Sequence, residues 1–330
     1  MAKNILIVKL SSIGDVAMAT VVLDGLKRVH PDAHVTWVVE PCCKDVIDGN
    51  GFVQKTIVWD KKGWVHNLRR FRLFNLAKEI RNFLVQLRQA QYDLAIDLQG
   101  LLKSGIITRL SGAKRRIGLN SKEGSRIFMT ETFYADDDKR IASEYKQTVE
   151  RFFHCKEPLK MWIALKDDAV NKRNHLLAEM KISDYLVFCP FSSRPQKNWP
   201  MERWAELSVV LQNEFSLPVL ILGGPEDRET AQRTVELSGR GLYSLAGQLS
   251  LAESIAFVAG AKAVAGVDTG LTHIAAGLER PTVVIFGSTC PYTDPDGYRM
   301  EIIYKGLSCS PCRRNPTCNG EYTCMKEITV

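Results

Sequence analysis

Three short stretches carry residue types that could do chemistry, two suited to holding an anionic ligand and one that offers a carboxylate. The first is Gly266-Val267-Asp268-Thr269-Gly270-Leu271-Thr272-His273, which follows an apolar run from Ala261 and precedes a helix-like run from Ile274. A strand that ends in Asp-Thr-Gly and turns at once into a helix leaves backbone N–H groups unpaired. Together with the helix dipole they form an anion site, most often for phosphate. The same spacing also fits an ordinary N-cap at Asp268 or Thr269. His273 has no partner legible in the sequence and reads as a capping or packing residue. The second stretch, Pro190 to Pro200, sets Ser192, Ser193, Arg194 and Lys197 on one loop after a strand. Hydroxyls and cations so placed can hold phosphate oxygens through neutral and charge-assisted hydrogen bonds. Glu226, in Gly223 to Glu229, is a carboxylate beyond another strand, where it can take both hydroxyls of a ribose or serve only as a first-turn charge. The third stretch is Lys9-Leu10-Ser11-Ser12-Ile13-Gly14-Asp15. It puts Asp15 at the carboxyl end of a first strand, where open α/β sheets bind ligands. As a mere helix-start charge Asp15 would contribute about 0.3–1 kcal/mol. The turn lacks Gly-x-Gly-x-x-Gly spacing, so it carries no dinucleotide fingerprint.

Alternating strands and helices must position these loops. Ile5–Val8, Val35–Val39, Thr56–Val58 and Leu94–Asp97 read as buried strands, with a helix over Val16–Val29. Helix-like Glu144–Phe153 follows, and then Lys156-Glu157-Pro158 and the polar Lys166 to Arg173 region make a joint between domains. Tyr185–Cys189, Val219–Leu222, Ala261–Val267 and Pro281–Gly287 then restart the alternation, with a helix over Met201–Phe215. This pattern predicts parallel sheets covered by helices on both faces. A chain of 330 residues, 45% of them hydrophobic, has the length for two such domains, taken as residues 1–165 and 166–330.

No apolar run reaches the roughly 18 residues of a membrane span, and the opening Met1 to Lys9 is too short and strand-like for a signal peptide. Nine cysteines at irregular spacing then point to a reducing cytoplasm. The net charge of +7 is uneven: Lys61 to Arg126 holds 15 Lys/Arg against 4 Asp/Glu. A local field of that strength implies an anionic partner. Within it, Trp64–Arg88 sets Leu68, Phe71, Phe74, Ile80, Phe83, Leu84 and Leu87 at roughly helical spacing, with Arg69, Arg70, Arg72, Lys78, Arg81 and Arg88 between them. The pattern predicts an amphipathic helix whose aromatic stripe packs on the core, its basic face solvated or turned to a membrane or an anionic acceptor. Arg115, Arg116, Lys122 and Arg126 extend the field. Nucleic-acid binders set aromatics on their basic surface, and a buried stripe argues against that partner. Cys309, Cys312, Cys318 and Cys324 leave three states open: a zinc or iron–sulfur site, disulfides, or free thiols in a packed tail.

Taken in order, the three stretches resemble the ADP-heptose:lipopolysaccharide heptosyltransferases, inverting glycosyltransferases of the GT-B fold with two Rossmann-like domains facing across a cleft. The resemblance runs from about residue 3 to about residue 290, and Tyr92 to Ser104 and Arg69-Arg70-Phe71-Arg72 are most like the type that adds the first heptose. The cysteine tail departs from the enteric pattern. The resemblance implies Asp15 as catalytic base and Lys197 as the lysine on donor phosphate and sugar. It implies donor contacts from Ser192, Ser193, Glu226, Asp268 and the Thr269, Gly270, Leu271, Thr272, His273 turn. Acceptor contacts are expected from Ser12, Gly14, Arg69, Arg70, Arg72, Gln99, Lys103 and Arg126. It further implies ADP-heptose as donor, Kdo-lipid A or another anionic lipid as acceptor, and a cytoplasmic protein on the inner membrane face. No cofactor is obligatory, magnesium is at most a stimulant, and zinc is confined to the tail. Alternatives are addition of a later heptose or another sugar, or a non-catalytic nucleotide- or nucleic-acid-binding protein.

Overall fold

The computed structural model describes residues 4–119, 123–156, 158–289, 291–312 and 315–330. Lys122 of the basic field, Glu157 of the expected joint and the Met1 to Lys3 start lie outside the described residues. The chain divides into two compact units, Met1–Asp138 with Ala142–Ala164, and Lys139–Ile141 with Leu165–Val330.

In the first unit β1 (Asn4–Val8), β2 (His34–Val39), β3 (Val53–Val58), β4 (Leu94–Asp97), β5 (Arg115–Leu119) and β6 (Glu131–Phe133) form one sheet in the order β3-β2-β1-β4-β5-β6. Every pairing is parallel. Strands covered by helices on both faces must be apolar throughout, and Ile5 to Val8 and Val35 to Val39 are buried without alternation. The chain winds outward from β1 through β2 to β3 and then returns to β4 on the other flank. The winding therefore reverses between β1 and β4, and the loops after these two strands diverge there to leave a crevice. The second unit repeats the plan. Its strands are β7 (Leu186–Cys189), β8 (Val219–Ile221), β9 (Leu242–Ser244), β10 (Val264–Val267), β11 (Thr282–Phe286) and β12 (Met300–Tyr304), in the parallel order β12-β11-β10-β7-β8-β9. Here the reversal lies between β7 and β10.

Three expectations need correction. The helix over Val16–Val29 is two helices, Ile13–Ala19 and Val21–Val29. They part at buried Thr20, whose Oγ1 donates to the Ala17 carbonyl at 2.6 Å and accepts from the Trp162 N–H at 2.9 Å. Trp64–Arg88 spans the helices Lys61–Arg69 and Leu73–Leu87 with a turn between. Its stripe is only half a core stripe: Phe83 and Leu87 are buried, whereas Leu68, Phe71 and Phe74 are exposed. Phe71 and Phe74 therefore stand on the basic surface, where their exposure gives no ground against a nucleic-acid partner.

The cysteine tail belongs to the second core. Cys324, Met325 and Ile328 pack with Phe188, Trp199, Trp204 and Ile221, and the Trp199 indole N–H donates to the Ile328 carbonyl at 2.9 Å. All eight described cysteines are free thiols, so no disulfide forms among them. Among the described residues no group of three or more His, Cys, Asp or Glu is placed to hold a metal ion. Met325 is fully buried against Gly287. Met325→Ala is expected to cost about 2–5 kcal/mol, read as a lower denaturant midpoint for the second unit with the first unit's transition unmoved.

Candidate functional site

Asp15 stands in the first turn of the Ile13–Ala19 helix, just past the end of β1. Its Oδ2 accepts from the Ser12 N–H at 3.1 Å and the Ser12 hydroxyl at 3.0 Å. That holds one carboxylate oxygen inward on the loop and fixes the rotamer. Gln99, at the end of β4, braces the same loop: its Oε1 accepts from the N–H groups of Leu10 and Ser11 at 3.0 and 3.1 Å. Asp97 in turn orients Gln99. One of its oxygens accepts the N–H groups of Gln99 and Gly100, and the other accepts the Ser104 hydroxyl at 2.9 Å. The order is Asp97, then Gln99, then the backbone that carries Asp15.

Sequence reasoning named Gln99 and passed over Asp97 and Lys9. Both are buried. The Lys9 ammonium lies 5.2 Å from the Tyr145 ring centroid, and its charge partly relieves Asp97. Burial nevertheless pushes the Asp97 carboxyl up to about 6, against its hydrogen bonds and Lys9. The usable signal was the strand end itself, since an acid that closes an apolar run enters a buried sheet and needs partners.

Of the other expected acceptor residues, Ser12 and Gly14 share the Asp15 loop. Lys103 pairs with Glu40 at 3.2 Å, and the Glu40 N–H donates to the Leu10 carbonyl, so Lys103 joins the same cluster. Arg69, Arg70 and Arg72 stand apart on the turn between the two hairpin helices, and Arg126 is exposed on the Ser125–Phe128 turn.

In the second unit, the loops at the reversal between β7 and β10 converge on Asp268. Lys197 Nζ donates to Asp268 Oδ2 at 2.5 Å and to the Asp268 carbonyl at 3.3 Å. The Thr289 hydroxyl donates to the same Oδ2 at 2.6 Å. His273 Nε2 lies 2.9 Å from Oδ1, and His273 Nδ1 lies 3.1 Å from the Tyr292 hydroxyl. An ionised Asp268 calls for an N–H on His273 Nε2 as its donor. Burial alone would raise the Asp268 pKa, but the combined bonds and charges of His273 and Lys197 outweigh it and hold the carboxyl well below the usual range. Burial, reinforced by the Asp268 charge, keeps the Tyr292 phenol neutral.

Asp268 therefore does not cap the following helix, and neither does Thr269, which sits at the N-cap position without a side-chain cap bond. The first amides of the Gly270–Gly277 helix keep the dipole and the orphan donors that suit an anion. Leu271 is half-buried. Thr272 is fully buried, its hydroxyl turned against Gly266 on β10 rather than toward the open side of the turn. On the β7 loop Asn198 Oδ1 accepts the Ser192 N–H at 2.9 Å, which fixes the loop that carries Ser192, exposed Ser193 and Lys197. Glu226 is exposed on the Pro225–Asp227 turn after β8. Thr289 and Tyr292 are not legible in the sequence because each acts through a neighbour about twenty residues away, and Asn198 because its role depends on how its own loop folds back on Ser192.

A positioned carboxylate in one unit, and in the other a lysine bonded to the aspartate that precedes an uncapped helix, are parts suited to proton removal and to holding a diphosphate. The chain is also similar to known proteins. Residues 80–323 match the model of glycosyltransferase family 9 (heptosyltransferase). The chain is 31% identical over 324 residues to lipopolysaccharide heptosyltransferase 1 of Pseudomonas aeruginosa, covering 97% of this chain and 88% of that protein. The lipopolysaccharide heptosyltransferase 1 of Escherichia coli K12 is 30% identical over 297 residues, 87% of this chain and 89% of the relative. The structure of the E. coli heptosyltransferase WaaC with ADP superposes with a TM-score of 0.75 at 26% identity, over 91% of this chain and 92% of that one.

Asp97 gives the first loop a pH signature. The folded state holds its proton to higher pH than the unfolded chain, so its contribution to stability falls as pH rises from about 4 to about 6. Asp97→Asn keeps an acceptor for Gln99 and Gly100 and removes the charge. Its unfolding free energy relative to the parent is expected to improve by on the order of 3 kcal/mol between pH 4 and pH 7, measured by denaturant titration at each pH. A difference independent of pH would contradict the assignment.

Proposed function

The chain belongs to glycosyltransferase family 9, the heptosyltransferases, with the two Rossmann-like units of the GT-B plan, and from that premise we propose that it moves a heptose from ADP-heptose to Kdo-lipid A. The observation that carries the reading is the Lys197–Asp268–His273 cluster at the head of an uncapped helix. In this reading Asp15 takes the proton of an acceptor hydroxyl as that oxygen attacks the anomeric carbon from the face opposite the diphosphate. The sugar is thereby inverted. Lys197, the Ser192 and Ser193 loop and the Gly270 and Leu271 amides hold the charge that grows on the departing ADP. Asp268, kept ionised by its partners, takes heptose hydroxyls, and Glu226 takes the ribose.

These fixed donors supply charge stabilisation by themselves, so the reading asks for no obligatory cofactor and leaves magnesium a stimulant. The acceptor residues are Ser12, Gly14, Gln99 and Lys103 near Asp15, with Arg69, Arg70, Arg72 and Arg126 for acidic groups of the acceptor. The WaaC structure with ADP supports the donor class, and the heptosyltransferase 1 relatives support the first-heptose acceptor. The protein then works at the inner membrane face. Addition of a later heptose is the alternative, distinguished by acceptor alone.

Purified protein given ADP-heptose and Kdo-lipid A is expected to release ADP. Asp15→Asn, which keeps an acceptor for Ser12, is expected to lower kcat by about 10²–10⁴-fold with ADP affinity preserved. Turnover unchanged in Asp15→Asn would remove Asp15 as the base.

A further inference from the structure

The helices Lys61–Arg69 and Leu73–Leu87 form a hairpin inserted between β3 and β4. Its root is well packed. The Trp64 ring meets Trp59 and Phe83 edge-on, with centroids 6.0 and 5.6 Å apart, and the Lys103 ammonium lies 5.3 Å from the Trp59 centroid. The hairpin thus grows from beside the Asp15 and Gln99 cluster.

Toward its turn the packing stops. Leu68 and Leu73 are more than half exposed, Phe71 is 87% exposed and Phe74 83%. Phe71 holds a φ of 54°, a left-handed conformation that large side chains disfavour. Its N–H and that of Arg72 bond back to the Leu68 and Asn67 carbonyls, so the turn is fixed with the ring outward. Around this patch Arg69, Arg70, Arg72, Lys78 and Arg81 are exposed. None of the five makes an ion pair with a described residue. Glu79, the single acid from Lys61 to Arg88, is occupied by the Asn67 amide at 3.0 Å.

Apolar side chains gathered at an exposed tip mark an interaction site, and unpaired cations around them select an anionic partner. Two partners meet that charge, nucleic acid and an anionic bilayer. A single-strand binder needs aromatic faces along a groove. This tip instead mixes Leu68 and Leu73 with the two phenylalanines at the outer end of a hairpin. Aliphatic side chains add nothing to base stacking, but all four partition into the boundary between headgroups and acyl chains.

We propose that the hairpin tip, Leu68 to Phe74, docks on an anionic phospholipid bilayer, with Phe71 and Phe74 entering the headgroup boundary and Arg69, Arg70 and Arg72 on lipid phosphates. The proposal deepens the lipid-acceptor reading and rests on it for its use, while the docking surface stands on the exposed residues. Each basic residue near an anionic surface changes binding about fivefold, and burying one phenylalanine changes it by more than about tenfold.

The test is co-sedimentation of the full chain with vesicles of phosphatidylcholine alone or with one quarter phosphatidylglycerol, in low and high salt. The parent is expected to bind the phosphatidylglycerol vesicles, more weakly as salt rises. Phe71→Ser with Phe74→Ser is expected to bind at least about tenfold more weakly at an unchanged melting temperature. The same variant is expected to keep transfer to a deacylated, water-soluble Kdo acceptor and to lose transfer to Kdo-lipid A embedded in those vesicles. Equal vesicle binding by parent and variant would overturn the proposal. So would equal loss on both acceptors, or displacement of the parent from vesicles by single-stranded RNA at matched phosphate. Vesicle binding as expected without transfer by the parent to either acceptor would count against the heptosyl reading and leave the docking surface standing.

Discussion

A carboxylate held almost out of water by a lysine, a histidine and a threonine is the interaction on which the second unit's chemistry depends. Left alone at that depth Asp268 would be driven to the neutral form. Lys197, His273 and Thr289 keep it charged, and the histidine is itself oriented by Tyr292. These partners arrive from the loops after β7, β10 and β11, which approach one another because the winding reverses between β7 and β10. The cluster occupies Asp268, so the amides of the next helix are left without a side-chain cap and remain free for an anionic ligand. Removing Lys197 alone would strand a buried negative charge, which is why the pair cannot be read as two independent contacts.

The first unit positions its carboxylate without a direct ion pair among the described residues. Asp15 stays on a half-exposed loop where water can solvate it. Its geometry comes from the Gln99 carbonyl oxygen, which gathers two backbone N–H groups, and from Asp97 behind Gln99. As the proposed base, Asp15 would take up and then release a proton during turnover, and hydrogen bonds from Ser12 suit that better than a fixed ion pair. The two reversal points thus hold different electrostatic designs, one suited to stabilising charge and one suited to moving a proton.

Much of this was legible in the sequence. Continuous apolar runs such as Ile5–Val8 and Val219–Leu222 gave the parallel strands, because strands covered on both faces cannot alternate. The Asp15, Lys197 and Asp268 loops were legible because each follows such a run. The edge and near-edge strands β5, β6, β9 and β12 were not legible, since charged or polar residues interrupt each of them and leave no continuous apolar run. The break at Thr20 was hidden because a threonine within an apolar helical pattern looks like a tolerated residue until Trp162, far along the chain, is seen to need its oxygen. Phe71 and Phe74 matched the helical period of Phe83 and Leu87, and periodicity cannot tell which part of a long amphipathic stretch has a partner. Thr289 and Tyr292 act only through residues that folding brings near.

The proposed site divides its labour, with Lys197 directed at the diphosphate and Asp268 at the transferred sugar. Calorimetric titration of ADP and of ADP-heptose into the parent, Lys197→Met and Asp268→Asn tests it most directly. The account predicts that Lys197→Met weakens both ligands by about tenfold or more, the worth of a charge-assisted contact. Asp268→Asn should weaken ADP-heptose to a similar degree and leave ADP within about twofold. Equal weakening of ADP and ADP-heptose in Asp268→Asn, or parental ADP affinity in Lys197→Met, would contradict it.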